Sequence, residues 1–501
     1  MEVNSKIISS LIQIADEFPE RRALVSEGRE VTYKDLVTNA YELADWLIQS
    51  KKKCVAVFVE NSVEWVVIDL ACIIAGVTHI ALPDFFSNQQ LKHVFQMARP
   101  DIIISDHVTR LLELGLKFIS CRKVSGLNVL SLVPGDDSES RYMNTGKVTF
   151  TSGTTGQPKG VCLGQDLIDD VTMSLKERLQ GLSIEQHICI LPLSTLLENI
   201  AGIYVPLVLG SSVYVTPLKN IGFNGSSGLD LELFINKLKN VDPDSLILFP
   251  QLLSALVSYT SQTKQLPFKT KFIAVGGSKT PPLLIQTARE QGWPVYEGYG
   301  LSETGSVVSM NVPGLDKTGS VGKPLSRLNV EIINGEICLK GKHYSGYLGE
   351  AKVDDEYLHT GDLGHIDDEG YLHVDGRKKN LIITSYGRNI SPEWIESELQ
   401  LAPSIAQCMV YGDAQPFCSA IIVSSSADNE MNEIEEAIED LNKTLPEYAS
   451  IRSWVIADGP FTIGNGLLTA NGRPKRLEIA FRYQRQLNAI YESRVVSGVS
   501  S

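Results

Sequence analysis

The sequence predicts an α/β fold in which a large N-terminal domain of helix-covered sheets is followed by a smaller α+β domain. Residues 31–115 alternate helical and β-rich segments, an order that favours a parallel sheet with helices on its faces. From about residue 318, short β runs separated by Gly- and Asp-rich turns predict an antiparallel, β-rich subdomain. Beyond Arg377, β runs and helical segments mix again, and the charged turn 375–380 is the expected domain boundary.

Each element follows from a local pattern. Segment 32–49 begins with Thr32, a common helix N-cap, and its apolar residues recur at helical spacing: Leu36, Ala40, Leu43 and Leu47. Similar patterns predict helices at 62–76, 391–400 and 432–445. Runs rich in β-branched residues predict strands at 54–60, 79–84, 100–106, 147–152, 187–193, 211–217, 245–250, 271–277, 328–335, 336–341, 370–377, 380–385, 406–413 and 418–425.

The composition excludes several classes of protein. The formal charge of −14 argues against nucleic acid as a partner, since a phosphate backbone requires a basic surface. No signal peptide is predicted from the first 18 residues, and the two most apolar stretches contain Asp69, His79 and Asn199, so buried elements are expected rather than transmembrane spans. The eight cysteines lack CxxC spacing, which predicts neither a disulfide framework nor a zinc site and favours a reducing, cytoplasmic location.

The segment 151–160, TSGTTGQPKG, predicts a loop that binds phosphate groups. It is not a Walker A motif, because Pro158 precedes Lys159 and Gly160 follows it, whereas that motif requires Gly-Lys-Ser/Thr. Small hydroxyl and backbone donors nevertheless precede the lysine: Thr151, Ser152, Gly153, Thr154 and Thr155. Such donors can follow the β- and γ-phosphates of a nucleotide while Lys159 neutralises their charge.

Four motifs occur in order along nearly the whole chain: TSGTTGQPKG at 151–160, GYGLSETG at 298–305, LHTGDLGHIDDEGYLHVDGRKKNLI at 358–382 and NGRPKR at 471–476. In these motifs the chain resembles the adenylate-forming superfamily of acyl-CoA synthetases, luciferases and peptide-synthetase adenylation domains. Segment 389–399 is most similar to the long-chain acyl-CoA synthetase branch. The resemblance implies that ATP converts a small carboxylic acid to an acyl-adenylate with release of pyrophosphate, and that the acyl group then passes to a thiol.

The resemblance also implies roles for individual residues around the nucleotide. Lys159 and its loop would hold the departing pyrophosphate, and Ser302 would donate to the α-phosphate. Glu303 would bind Mg²⁺, since a hard cation that bridges phosphate oxygens prefers a carboxylate ligand. Tyr299 would pack against adenine, and Gly300 follows it in the same nucleotide-binding motif.

Four further residues complete the implied nucleotide site. Asp362 matches the acid that accepts both ribose hydroxyls, for which a carboxylate has enough acceptor sites. Arg377 resembles the arginine that contacts the ribose or the α-phosphate. Gly276 and Gly277 would let the backbone approach the nucleotide and the acyl group closely.

By the same resemblance, an N-terminal AMP-binding domain spans residues 1–376, with its β-rich subdomain at about 318–376. A small, mobile C-terminal domain then spans residues 377–501, and Lys379 matches the hinge about which it rotates. One orientation would bring a C-terminal lysine to the carboxylate, and the other would open a tunnel for the thiol acceptor.

The C-terminal catalytic lysine departs from the family pattern. Relatives commonly have lysine directly after a glycine, whereas here Arg473 follows Gly472 and Lys475 comes two residues later. Lys475 is the favoured catalytic cation and Arg473 is its rival, since arginine keeps the charge but differs in geometry.

The acyl pocket is expected between segments 191–202 and 275–309, and its predicted lining residues are Thr195, Leu196, Ile200, Val275, Gly277, Val307 and Val308. Thr195 stands where many relatives have an aromatic or histidine gating residue. The apolar lining favours a fatty or other apolar carboxylate. CoA is the expected acceptor, while the phosphopantetheine of an acyl carrier protein and a non-catalytic acyl- or nucleotide-binding role are the alternatives.

Overall fold

A computed structural model of the chain describes residues 5–124, 127–132, 144–152, 157–224, 228–353, 355–425, 431–469 and 472–495. Its strands are β1 (Arg22–Ser26), β2 (Arg29–Thr32), β3 (Cys54–Phe58), β4 (Thr78–Ala81), β5 (Ile102–Ser105), β6 (Phe118–Val124), β7 (Leu127–Leu132), β8 (Lys147–Ser152), β9 (Pro158–Leu163), β10 (Gln186–Ile188), β11 (Ser212–Tyr214), β12 (Phe223–Asn224), β13 (Gly228–Leu229), β14 (Ser245–Leu248), β15 (Phe272–Val275), β16 (Val295–Tyr299), β17 (Ser309–Met310), β18 (Lys323–Pro324), β19 (Asn329–Ile333), β20 (Glu336–Lys340), β21 (Gly346–Tyr347), β22 (Tyr357–Ile366), β23 (Leu372–Arg377), β24 (Ile382–Ile383), β25 (Asn389–Ile390), β26 (Ile405–Tyr411), β27 (Cys418–Ser424) and β28 (Ile451–Ile456).

Helices cover these sheets and connect their strands. The α-helices span Lys6–Glu17, Tyr33–Gln49, Val63–Ala75, Asn88–Ala98, Val108–Glu113, Gln165–Leu179, Val205–Val208, Leu231–Val241, Pro250–Thr263, Pro282–Glu290, Pro392–Leu399, Met431–Thr444, Arg476–Arg482 and Gln484–Val495. A π-helix spans Glu198–Tyr204, and short 3₁₀ helices include Ser302–Thr304 and Lys378–Asn380. The predicted cap of the second helix is confirmed, because the Thr32 hydroxyl accepts the Asp35 amide.

Two large sheets form the N-terminal part of the molecule and confirm the predicted α/β fold. The nine-stranded sheet has the order β18-β17-β16-β15-β14-β10-β11-β1-β2, and the eight-stranded sheet has the order β21-β9-β8-β4-β3-β5-β7-β6. Strands β16 to β1 are parallel in the first sheet, and β8 to β5 are parallel in the second. The carboxyl ends of β14, β15 and β16 therefore meet at one edge, where open α/β sheets bind their ligands.

Two smaller sheets follow along the chain. The sheet β19-β20-β22-β23 is antiparallel throughout, which confirms the antiparallel structure predicted beyond residue 318. The sheet β26-β27-β28 packs its apolar face against the helices Pro392–Leu399 and Met431–Thr444. The strand predicted at 187–193 is shorter than expected: β10 ends at Ile188, because the chain turns at Pro192, whose carbonyl accepts the Thr195 amide.

A network of buried polar groups lies between the two large sheets. The Lys147 ammonium, 2% exposed, donates to Asp69 Oδ1 at 2.6 Å, to Asn199 Oδ1 at 2.6 Å and to the Tyr204 hydroxyl at 2.9 Å. Asn199 and Tyr204 both donate to the other oxygen of Asp69, and His79 Nδ1 lies 2.6 Å from Oδ1. Burial opposes ionisation of Asp69, but Lys147 and His79 outweigh it and hold the pKa of this carboxyl well below its usual range.

The two apolar stretches belong to this packed interior. The helix Val63–Ala75 is buried on nearly every face, and the π-helix with the helix after it lies in the same core. Across the described ranges, no helix combines the length and the apolar character that a membrane crossing requires.

Replacing Lys147 with alanine is expected to destabilise the fold strongly. The change leaves Asp69 buried without its ammonium partner, and breaking a buried ion pair from one side typically costs about 3–5 kcal/mol. Urea denaturation followed by tryptophan fluorescence measures the free energy of unfolding. The control is Lys6→Ala, because Lys6 pairs with Asp170 at 2.9 Å while its side chain is 62% exposed, so its loss is small. Equal losses in the two variants would contradict the assigned importance of the network.

Candidate active site

A cleft of about 2900 Å³ brings most of the predicted site residues together. Its lining includes the following of them: Thr151, Lys159, Thr195, Leu196, Val275, Gly276, Gly277, Tyr299, Gly300, Ser302, Glu303, Val307, Asp362, Arg377, Lys379, Arg473 and Lys475. Ile200 and Val308 are fully buried in the main core and do not line this cleft. Gly153, Thr154 and Thr155 lie outside the described residues, as does the side chain of Ser152.

The predicted phosphate loop connects the two strands of a hairpin. Strand β8 pairs with β9 so that Thr151 is opposite Lys159. The Lys159 ammonium lies 3.1 Å from Glu350 Oε1 and 4.6 Å from the centre of the Tyr347 ring. Because this ion pair is about half exposed, the lysine can exchange Glu350 for an incoming anion at small cost.

Tyr347 links Glu303 to the same hairpin, because its strand β21 pairs with β9. The Tyr347 hydroxyl donates to Glu303 Oε1 at 2.8 Å, and burial together with the Glu303 charge raises the pKa of Tyr347 far above its usual value. Glu303 lies in the 3₁₀ helix Ser302–Thr304, next to Ser302. A carboxylate beside a lysine and hydroxyl donors is a donor set that suits a hard cation bound with phosphate oxygens.

Two glycines allow the backbone to take this shape. A Cβ on Gly300 would lie 1.5 Å from the Ser306 carbonyl oxygen, so no other residue fits between β16 and the turn that follows it. Gly277 has a φ of +87°, and a Cβ there would meet the Phe249 ring at 2.8 Å. Glycine at these positions therefore lets the backbone pack against the Ser306 carbonyl and against the Phe249 ring.

Buried Asp362 and half-buried Arg377 form an ion pair at the edge of the cleft. They are register partners on β22 and β23, with Arg377 Nε 2.6 Å from Asp362 Oδ1. The Tyr299 hydroxyl donates to Asp362 Oδ2 at 2.5 Å. Burial raises the pKa of Asp362, and the positive charge of Arg377 opposes that shift. Oδ2 also accepts from Arg377 Nη2 at 3.4 Å, so Oδ1 is the oxygen that keeps a second lone pair with which it can accept a ligand hydroxyl.

The side chain of Arg473, in the C-terminal segment, extends into this cleft. A turn closed by Thr469 fixes its backbone, with the Arg473 amide 3.0 Å from Thr469 Oγ1. Its Nη2 donates to the Gly277 carbonyl at 2.5 Å, and its charge interacts with those of Arg377 and Asp362. Lys475 lines the same cleft just before the helix Arg476–Arg482, where its amide donates to the Leu467 carbonyl at 2.8 Å.

The cleft continues along an apolar wall that the sequence analysis missed. Helix, π-helix and strand residues contribute to it: Leu175, Leu179, Ile184, Ala201, Val205, Leu209, Phe272 and Ala274. Phe272 lies three residues before Val275, the residue next to the glycine pair, so β15 carries the wall over about 10 Å at 3.3 Å per residue. Side chains from so many elements leave no local motif in the sequence.

Tyr347, Glu350 and Glu297 are further polar residues of this cleft region that were not predicted. Tyr347 and Glu350 follow the first motif by nearly 190 residues, and only the pairing of β21 with β9 brings them to it. Glu297 directly precedes the GYGLSETG motif and is 7% exposed.

The sequence was compared with known families and proteins. Residues 11–348 match the family model described as AMP-binding enzyme, and residues 379–495 match that of the AMP-binding enzyme C-terminal domain. The chain is similar to the long-chain-fatty-acid–CoA ligase FadD15 of Mycobacterium bovis, with 26% identity covering 87% of this chain and 88% of that protein. The 2-succinylbenzoate–CoA ligase of Bacillus velezensis is 29% identical, covering 81% of this chain and 85% of its own.

A solved structure has the same fold. The O-succinylbenzoate coenzyme A synthetase of Bacillus subtilis, in complex with ATP and magnesium ion, superposes with a TM-score of 0.72 at 24% identity. The alignment covers 93% of this chain and 98% of that protein.

Glu297→Gln is expected to remove a pH-dependent cost to stability. Burial raises the pKa of Glu297 to about 7, and the Thr280 amide, 3.3 Å away, opposes that shift only partly. Since the folded state holds the proton more tightly than the unfolded state, stability contributed by the protonated group is lost as pH rises from about 4.5 towards 7.

Urea unfolding of both proteins at about pH 5 and about pH 8 tests this prediction. The native protein should lose free energy of unfolding relative to the variant at the higher pH. Glu290→Gln, at the exposed end of the helix Pro282–Glu290, is the control and should show no such difference. A gap between the native protein and Glu297→Gln that stays constant with pH would refute the assignment.

Proposed function

The chain belongs to the AMP-binding enzyme family, as an AMP-forming ligase of the acyl-CoA synthetase type, and we propose that it joins a fatty carboxylate to coenzyme A with ATP. The observation that supports a fatty acid as substrate is the apolar wall next to Gly276 and Gly277. It supplies aliphatic and aromatic side chains over about 10 Å. Buried apolar area would favour an alkyl chain by about 0.8 kcal/mol for each methylene group.

The first half-reaction joins two anions, the carboxylate and the α-phosphate of ATP, so neutralisation of charge and positioning dominate it. We assign Lys159 and the loop before it to the departing pyrophosphate and Ser302 to the α-phosphate. Both line the same cleft, and Tyr347 contacts both the Lys159 ammonium and Glu303, the residue after Ser302, which supports this assignment. Glu303 would hold Mg²⁺, which, when bound, offsets the charge of the phosphate oxygens.

The nucleoside is assigned to the opposite side of the cleft. Asp362 would accept the ribose hydroxyls, with Arg377 holding its carboxylate in place at 2.6 Å. Tyr299 would present its ring to adenine while its hydroxyl stays bonded to Asp362.

Of the two candidate catalytic cations, Lys475 and Arg473, we propose that Arg473 neutralises the charge of the substrate carboxylate. Its guanidinium reaches the Gly277 carbonyl, where the acyl wall meets the nucleotide cleft. Lys379, in the 3₁₀ helix Lys378–Asn380, is proposed as the hinge of the C-terminal domain. Rotation there would withdraw Arg473 after adenylation and admit the thiol of CoA.

The function is tested with ATP–pyrophosphate exchange and with acyl-CoA formation on a series of straight-chain acids. Two added methylene groups are worth about 1.6 kcal/mol, so kcat/KM is expected to rise about tenfold for each pair until the wall is filled. Ala274→Leu, which fills part of the cavity, should lower kcat/KM for long acids only, so short acids serve as the internal control. A preference for short polar or aromatic acids would overturn the fatty assignment, and acyl transfer only to a holo carrier protein would overturn CoA.

Arg473→Ala is expected to slow ATP–pyrophosphate exchange by about 10²–10³, the usual effect of losing one positioned donor. Lys475→Ala serves as the matched control and should have a much smaller effect. Arg473→Lys should restore part of the rate, because it keeps the charge but not the planar fork. Full activity of Arg473→Ala together with loss of activity in Lys475→Ala would reverse the assignment.

A further inference from the structure

Three buried side chains with metal-ligand chemistry meet next to the acyl wall. The imidazole of His187, the thiol of Cys189 and the carboxylate of Glu198 each place one ligand atom within 4.8 Å of the others. His187 is 2% exposed, while Cys189 and Glu198 are fully buried. None of the three has a role in adenylation or acyl transfer as assigned above.

Two elements bring the three residues together. His187 lies on β10 and Cys189 two residues later, still bonded to the neighbouring strand through its amide, so both side chains point to one face of the sheet. Glu198 begins the π-helix Glu198–Tyr204. Gly202 faces them from the next turn, and a Cβ there would lie 2.6 Å from Glu198 Oε1 and 2.9 Å from His187 Nε2. The missing side chain therefore makes room for the cluster.

The distance between His187 and Glu198 is long for a hydrogen bond and suits two ligands of one metal ion. His187 Nε2 is 3.4 Å from Glu198 Oε1, beyond the usual 2.7–3.2 Å of a nitrogen–oxygen hydrogen bond. Two ligands about 2.05 Å from a tetrahedral zinc ion are separated by about 3.3–3.4 Å. The other imidazole nitrogen, Nδ1, lies 2.9 Å from the Ser245 hydroxyl, an outer contact that orients the ring.

Glu198 is the member of the cluster that most needs a partner. Its Oε2 is buried and has no hydrogen-bond partner in the described part of the chain. A buried carboxylate oxygen without a partner costs more than an ordinary hydrogen bond contributes. A divalent cation would satisfy it, since the charge of +2 balances one carboxylate and one thiolate.

We propose that His187, Cys189 and Glu198 bind one zinc ion. A thiolate, an imidazole and a carboxylate match the ligands that zinc prefers, whereas magnesium and calcium prefer oxygen ligands alone. Binding forms three bonds from protein to metal and releases the Cys189 proton to solvent. Water fills the remaining position, and the ion reaches the site through the cavity, which His187 lines.

The test is metal content and cobalt spectroscopy of the full-length protein. After purification without chelator, elemental analysis is expected to find about one zinc per chain. Cobalt added to the metal-free protein should produce thiolate-to-metal charge transfer in the near ultraviolet and visible bands of low-coordinate cobalt. Cys189→Ser should abolish the charge-transfer band, and Glu198→Gln should weaken binding.

Two controls separate this site from chance binding. Cys121→Ser removes the exposed thiol and should leave both the zinc content and the cobalt spectrum unchanged. Added zinc should raise the thermal midpoint of the metal-free native protein more than that of metal-free Glu198→Gln, a readout that holds even if Cys189→Ser folds poorly. Absence of bound metal, or a cobalt spectrum that is the same in Cys189→Ser, would leave a hydrogen-bonded cluster only and overturn the proposal. None of these measurements depends on the acid or acceptor of the ligase.

Discussion

The buried charge of Asp69 is the constraint on which the geometry of the cleft depends. Its carboxylate, on the helix Val63–Ala75, is held by Lys147 at the start of β8 and by Asn199 and Tyr204 on the π-helix. Strand β8 leads into the phosphate loop, and the π-helix contributes to the apolar wall. Because a buried charge tolerates little displacement from its partners, the network fixes the hairpin of β8 and β9 relative to the apolar wall of the cleft.

The sequence predicts best what local chemistry determines. Gly300 is required by a backbone contact with Ser306, six residues later, and Asp362 and Arg377 are partners across a single hairpin. The polar residues Asp69, His79 and Asn199 are visible as interruptions of apolar stretches. Only the fold shows that His79 and Asn199 both contact Asp69, which Lys147 neutralises, because their elements are adjacent in space and distant in sequence.

What the sequence does not predict is spread over many elements. The apolar wall combines side chains of the helix Gln165–Leu179, the π-helix and β15, so no sequence spacing reveals it. Ile200 and Val308, which were expected to line the acyl pocket, are instead buried in the main core. Cysteine spacing likewise says nothing of a cluster whose members are one strand residue, the residue just beyond that strand and one helix residue. Tertiary packing decides these positions, and a period of 2 or 3.6 cannot encode it.

The acidic chain concentrates positive charge where the nucleotide would lie. Arg377 and Arg473 both interact with the charge of Asp362. Partial burial of Lys379 and the positive charges of these two arginines lower the pKa of Lys379. Cations crowded around a single carboxylate repel one another, so a bound polyanion would relieve that repulsion. Arg473 comes from the C-terminal segment and touches the N-terminal part through the Gly277 carbonyl. The positive charge at this end of the cleft therefore includes a contribution from the C-terminal segment, which the contact between Arg473 and the Gly277 carbonyl places beside Asp362 and Arg377.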